Sequence, residues 1–157
     1  MRKAIYSGSF DPFTVGHLDI VKQACDIFDE VHIVIAVNVK KKRSFNKELM
    51  MAAIEKVLAY EGITNAKVCS YNGLIADYCI ANDIKYSVRG LRNNMDYNYE
   101  ENISEVNRLI SPNLTTIYLR AKQAAISSSM VKEIFDYKKD ISNFVPIPVL
   151  EVMYGQI

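Results

Sequence analysis

The run Val31 to Val37 (VHIVIAV) constrains this chain more than any other segment. It is apolar at every position except His32 and rich in β-branched residues. A strand with one wet face alternates apolar and polar residues. A continuous apolar strand needs cover on both faces, as in a parallel sheet between layers of helix. The flanking segments supply those helices. From Gly16 to Phe28, residues Leu18, Val21, Ala24, Cys25 and Phe28 recur at three- and four-residue spacing, the period of a half-buried helix. Lys47 to Tyr60 repeats that pattern and stops at Gly62.

The same alternation runs through the chain. Strands are predicted at Lys3–Ser7, Val31–Val37, Ala66–Ser70, Ile84–Val88 and Leu114–Leu119. Helices are predicted over Gly16–Phe28, Lys47–Tyr60, Leu74–Asn82, Tyr97–Ile110, Ser128–Tyr137 and Pro148–Tyr154. This order implies βαβ units and a Rossmann-like α/β fold, an open parallel five-stranded sheet with helices on both faces. The 157 residues contain no repeat or Pro/Gly-rich linker, so residues 1–157 are expected to form a single domain. The basic start Met1-Arg2-Lys3 precedes too few apolar residues for a signal peptide, and no apolar run approaches the ~20 residues of a membrane span. The odd set of cysteines, Cys25, Cys69 and Cys79, has no CxxC pair, which suits reduced thiols and a cytoplasmic location.

In open α/β sheets ligands bind beyond the carboxyl ends of the strands, and the chemically distinctive residues follow predicted strands. Gly8 to His17 (GSFDPFTVGH) comes after the first. Gly8 is expected to let the backbone turn sharply, and Asp11-Pro12 to fix a turn. Gly16 and His17 then open a helix, whose N–H groups and dipole attract phosphate. Ile126 to Lys132 (ISSSMVK) sets hydroxyls at another helix start, where they can cap N–H groups or bind phosphate. Arg89-Gly90-Leu91-Arg92 offers two guanidiniums, groups suited to phosphate oxygens. Lys40 to Arg43 (KKKR) is a short basic run without interleaved aromatics. With a net charge of +1 it argues for one lysine on an anionic substrate rather than for nucleic acid. The acids of Asp96 to Glu101 suit a first helical turn. His32 reads as structural. The sequence has no metal-ligand cluster, no P-loop and no GxGxxG.

These motifs, in this order, resemble the bacterial phosphopantetheine adenylyltransferases, nucleotidyltransferases that share TxGH and ISSSxxK turns with class I aminoacyl-tRNA synthetases. The resemblance runs from Ala4 to about Phe144. It implies transfer of AMP from ATP to 4′-phosphopantetheine, yielding 3′-dephospho-coenzyme A and pyrophosphate. His17 is expected to stabilise the transition state, with Lys41 and Arg92 as further catalytic cations. Ser9, Lys41, Leu74, Ile75, Arg89 and Asn107 would meet the acceptor. Lys41 is chosen over Lys40 and Lys42 by its distance from the strand. Ser9, Phe10, His17, Gly90, Leu91, Arg92 and Glu100 would hold ATP, with Gln123, Ala124, Ala125, Ile126, Ser127, Ser128 and Ser129 closing over it. The resemblance also implies Mg²⁺ delivered with ATP, a homohexamer and feedback by coenzyme A, with no nucleic-acid or membrane partner. Ser7, Val15 and Ala124-Ala125 depart from the residues common in the family.

A phosphate monoester with a second pKa near ~6 is already a nucleophile at neutral pH. The absence of a Ser-His-Asp or paired-carboxylate constellation therefore fits, and positioning and charge carry the mechanism. The competing readings are a nucleotidyltransferase acting on nicotinate mononucleotide or forming a CDP-alcohol, and a nucleotide-binding module without chemistry.

Overall fold

The computed structural model describes residues 1–91, 94–123 and 126–155, with the side chains of 94–101 outside that description. Among the described residues five strands and six helices follow one another, alternating up to the last two helices, which are consecutive. They are β1 (Lys3–Gly8), α1 (Val15–Ile27), β2 (Glu30–Ala36), α2 (Lys47–Tyr60), β3 (Ala66–Tyr71), α3 (Ile75–Ala81), β4 (Tyr86–Leu91), α4 (Asn94–Ile110), β5 (Thr115–Arg120), α5 (Ser128–Asp136) and α6 (Ile147–Gly155). The sheet is parallel throughout, in the order β3-β2-β1-β4-β5. The chain winds outward from β1 to β3, then returns to lay β4 on β1's other side. The switch point lies between β1 and β4, where such sheets open a crevice at the carboxyl edge.

β2, the strand of the apolar run Val31 to Val37, is covered on both faces. Val31, Ile33 and Ile35 enter the larger core, with Tyr6 of β1, Val21 and Ala24 of α1, Ile54 of α2, Val131 of α5 and Met153 of α6. Val34 points the other way into a smaller cluster with Ile5, Cys79, Ile84 and Leu114. His32 shares that face and is 2% exposed. Its Nδ1 lies 2.8 Å from the Tyr78 hydroxyl and its Nε2 3.1 Å from Glu30 Oε1. Burial is the main influence lowering its pKa. The structural reading of His32 is thus correct.

Two local expectations change. β4 runs on to Leu91, so Arg89, Gly90 and Leu91 are its last residues and not a turn after it. Pairing with Tyr118, Leu119 and Arg120 of β5 carries the strand forward. The sharp turn credited to Gly8 is made instead at Phe10, whose backbone is left-handed at φ 45°. Gly8 ends β1, and a Cβ there would stand 3.3 Å from Phe10 Cζ, so its smallness makes room for the ring. A left-handed non-glycine residue costs about 1–2 kcal/mol. Burying the ring, 2% exposed, returns about 1.5–3 kcal/mol.

Candidate active site

Thr14 begins the site. It is the N-cap of α1, and its side chain accepts the backbone N–H of His17 at 3.3 Å. In return the N–H of Thr14 donates to His17 Nδ1 at 2.9 Å, a reciprocal capping box with histidine in the third position. Because Nδ1 accepts, the imidazole proton is assigned to Nε2, making that nitrogen the ring's donor. Phe10 meets the ring edge-on at 5.0 Å and 90°, and Phe13 flanks it at 5.5 Å. The cap and these rings fix the orientation of His17.

Gly16 permits a close approach. A Cβ there would lie 3.2 Å from the carbonyl oxygen of Ile126, so the loop before α5 can rest directly on the start of α1. The two loops are bonded as well: Ser128 Oγ donates to the Pro12 carbonyl at 2.8 Å. Ser127 caps α5 through Met130 N–H at 3.1 Å. The expected row of phosphate-binding hydroxyls therefore divides its work, since Ser127 caps, Ser128 joins loops and Ser129 is exposed.

Two cavities open along the carboxyl edge. The larger, about 420 Å³, lies at the switch point among Tyr6, Gly16, His17, Gly90, Leu91 and Gln123, with Ile126 and Ser127 beside them. The smaller, about 110 Å³, is lined by Ser9, Asp11, Asn38, Lys41, Lys42 and Arg43, with Lys132 of α5 on its far wall. Ser128 and Ser129 line both. One chamber sets a histidine beside Ile20, Leu91 and Ile126, the other carries several cations, and they share the two serine hydroxyls. Such a pair suits a nucleotide beside a second anion.

Arg43 does not behave as the rest of its basic run does. Its Nη1 donates to the Ser9 carbonyl, Nη2 to that of Phe10 at 3.3 Å, and Nε to that of Phe45 at 3.1 Å. Burial lowers its pKa, with Asp11 opposing the change. Lys40 is exposed and does not line the small cavity, whereas Lys41 and Lys42 both do. Phe10 is buried beneath His17 and lines neither cavity.

Of the expected acceptor residues, Ser9 and Lys41 line the smaller cavity, whereas Leu74, Ile75, Arg89 and Asn107 line neither. Arg89 Nη1 donates to the Ser7 carbonyl at 3.0 Å and contacts Ser7 Oγ at 3.1 Å, so the serine found where the family often has proline has a partner. Leu74 is the exposed N-cap of α3, and Ile75 begins that helix. Asn107 is half-buried, one turn beyond Ser104, whose hydroxyl lies 2.6 Å from that of Thr116 near the start of β5. Asn107 therefore lies toward the amino edge, away from both cavities. Arg92, Ala124 and Ala125 fall outside the described residues, as does the side chain of Glu100.

Comparison with known proteins decides the family. A model of the cytidylyltransferase-like family matches residues 5–134. A phosphopantetheine adenylyltransferase of Shouchella clausii is 40% identical over 155 residues, covering 98% of this chain and 96% of its own. That of Staphylococcus carnosus is 42% identical over 149 residues, covering 94% and 91%. This chain belongs to the phosphopantetheine adenylyltransferase family. The fold is shared more widely. A crystal structure of a protein from Vibrio parahaemolyticus superposes with a TM-score of 0.66 at 16% identity, over 99% of this chain and 93% of the other.

Within this phosphopantetheine adenylyltransferase family member, Tyr6, Lys132 and Asp11 are among the residues beside the cleft to which the sequence assigned no site role, although Lys132 closes the ISSSxxK motif. Tyr6 lines the larger cavity, and its place two residues before Gly8 on an alternating strand was the available signal. Lys132 lines the smaller one, one helical turn beyond Ser128 and Ser129, a spacing that puts them on one side of α5. Asp11 lies buried where the cations converge, and nothing in its sequence context beyond the turn announced it.

The lysine assignment can be tested directly. Lys41→Ala is expected to raise the KM for the phosphorylated acceptor, with little change in that for ATP. Loss of one charge-assisted contact corresponds to about 1.5–3 kcal/mol. Steady-state kinetics of Lys41→Ala and Lys42→Ala side by side decides the matter, and a larger acceptor defect in Lys42→Ala would move the assignment to that residue.

Proposed function

We propose that the chain transfers AMP from ATP to the phosphate of 4′-phosphopantetheine, giving 3′-dephospho-coenzyme A and pyrophosphate. The observation that carries this reading is the pair of adjoining cavities with a common wall at Ser128 and Ser129, in a chain of this family. ATP occupies the larger chamber, its adenosine toward Tyr6, Gly90 and Leu91 and its phosphates toward His17 and the serines. The acceptor phosphate occupies the smaller chamber against Ser9 and Lys41. Its pantetheine arm runs over the α3/α4 face past Leu74, Ile75 and Arg89, long enough to reach toward Asn107. Arg92, Glu100, Ala124 and Ala125 complete the ATP side.

No proton need be removed from the nucleophile, because the acceptor phosphate is largely dianionic at neutral pH. One acceptor oxygen attacks the α-phosphorus, and the bond to the bridging oxygen breaks as pyrophosphate departs. The chain's task is to bring two polyanions together and meet the charge that develops. The Nε2 proton of His17 donates to a non-bridging α-oxygen. Lys41 and Arg92 offset the charge of acceptor and leaving group. Among the described residues no group of three His, Cys, Asp or Glu side chains could hold a metal ion. Mg²⁺ enters as part of the substrate, carried on the ATP phosphates.

A homohexamer accounts for Val106 and Leu109 of α4, which are 57% and 80% exposed, and for Ile80 of α3 at 58%. Apolar side chains in such number on adjoining helices suit contact with another copy. A monomer in sedimentation equilibrium would contradict this. Among the described residues no helix is long and apolar enough to cross a membrane. The Cys25 thiol, raised by burial and by Asp26 to about 11, and the Cys79 thiol, raised by burial to about 11, are poor thiolates. Unreactive free thiols suit the cytoplasm. Coenzyme A, which carries the same pantetheine arm, competes for the acceptor site.

Pyrophosphate release from MgATP with a panel of acceptors tests the substrate assignment. Rapid release is expected with 4′-phosphopantetheine, suppressed by added coenzyme A. Comparable turnover with nicotinate mononucleotide would overturn the assignment in favour of the other adenylyltransferase reading.

A further inference from the structure

Asp11 is 8% exposed and surrounded by donors. Its Oδ2 accepts the backbone N–H of Ser44 at 2.8 Å, and its Oδ1 that of Phe45 at 2.9 Å. Arg43 Nη2 lies 3.6 Å from Oδ1, and Lys132 Nζ 3.8 Å from Oδ2. Arg43 makes the reverse connection, its guanidinium donating to the carbonyls of Ser9, Phe10 and Phe45. The loop after β1 thus sends a carboxylate into the loop after β2, and the loop after β2 returns a guanidinium. Phe45, 5% exposed, anchors the second loop against Phe135 of α5 at 5.8 Å.

From these contacts we infer that Asp11 and Arg43 form a positioning clamp that sets the distance between Ser9 and the Lys41–Lys42 segment across the smaller cavity, without themselves binding substrate. The inference rests on the reading of that cavity as the acceptor-phosphate site. Three donors of one guanidinium directed at three carbonyls define an orientation that a single ammonium cannot reproduce. A cation whose work was to attract phosphate would be oriented toward the cavity, not folded back on the backbone. The carboxylate beside the cavity keeps its negative charge off the incoming anion because two N–H groups and two cations already surround it.

The test separates shape from charge. Arg43→Lys retains the positive charge and loses the fork. If the clamp positions the loop, Arg43→Lys and Arg43→Ala raise the acceptor KM alike, roughly tenfold or more, while calorimetric ATP binding stays within about twofold. If Arg43 served as a charge for the phosphate, Arg43→Lys would restore near-normal acceptor kinetics, and the inference would fall. Arg43→Lys also carries the test should Arg43→Ala fold poorly, which thermal denaturation of each variant would reveal. A double-mutant cycle closes the case. Adding Arg43→Lys to the Lys41→Ala, Lys42→Ala double variant should raise the acceptor KM little further, because the clamp acts through those lysines. Full additivity would show that Arg43 acts independently and would overturn the proposal. An acceptor KM left unchanged in Lys41→Ala, Lys42→Ala would instead show that the cavity reading has failed, and the clamp's role in acceptor binding with it. Normal lysine dependence with a silent Arg43→Lys would condemn the clamp alone.

Discussion

His17→Ala is expected to lower kcat by about 10²–10³, or about 2.7–4 kcal/mol, while calorimetric ATP binding remains close to that of the unaltered protein. The imidazole is fixed before substrate arrives, with Nδ1 accepting Thr14 N–H at 2.9 Å and Phe10 set edge-on at 5.0 Å. In the proposed reaction its Nε2–H would meet the α-phosphate without reorganising. As the bond to pyrophosphate stretches, charge redistributes onto the non-bridging oxygens and a fixed donor gains strength. Loss of such a donor lowers kcat more than it raises either KM. His17→Gln should recover part of the rate, since a carboxamide can accept from Thr14 and still present an N–H. A defect confined to ATP affinity would make His17 a binding residue and leave charge stabilisation to Lys41 and Arg92.

Phe10→Ala is expected to destabilise the fold by about 3–5 kcal/mol, a large share of the roughly 5–15 kcal/mol typical of a domain. The Phe10 ring is 2% exposed and packs edge-on against Tyr6 at 5.3 Å and Phe13 at 5.6 Å. The substitution keeps the unfavourable left-handed backbone at φ 45° and discards the burial that offsets it. It also removes one wall of the His17 cage, so kcat should fall in the protein that remains folded. Phe10→Leu, which preserves much of the volume, should lose less of both. Urea denaturation with kcat measured well below the midpoint checks this. A stability loss under about 1 kcal/mol for Phe10→Ala would mean that the ring does not support the loop.

The fold was legible because its strongest signals are properties of single segments. Val31 to Val37 cannot lie at a wet surface, and Lys47–Tyr60 emerged with the bounds its periodicity gave. The site was legible where a motif stays local: His17 and Ser127 to Ser129 line the larger cavity as the GH and ISSS turns suggested. Legibility failed where a residue's role depends on a distant partner. Arg43 looked like one more solvated cation, yet the carbonyls that hold it lie in another loop. Asp11 looked like a turn residue, and its partners stand more than thirty positions away. Gly8 was credited with the sharp backbone that Phe10 adopts, because a ring held in place by tertiary packing can override the local preference for glycine. β4 outran its apolar stretch because pairing with β5, and not side-chain pattern, carries Arg89 and Gly90 into the sheet.

The most direct measurement of the central claim is the identity of the products formed from MgATP and 4′-phosphopantetheine, read by mass spectrometry with pyrophosphate quantified in the same sample. Attack at the α-phosphorus across two adjoining chambers should yield 3′-dephospho-coenzyme A and pyrophosphate in equal amounts. Accumulation of ADP with a further phosphorylated pantetheine, or ATP bound and left intact beside the acceptor, would contradict it.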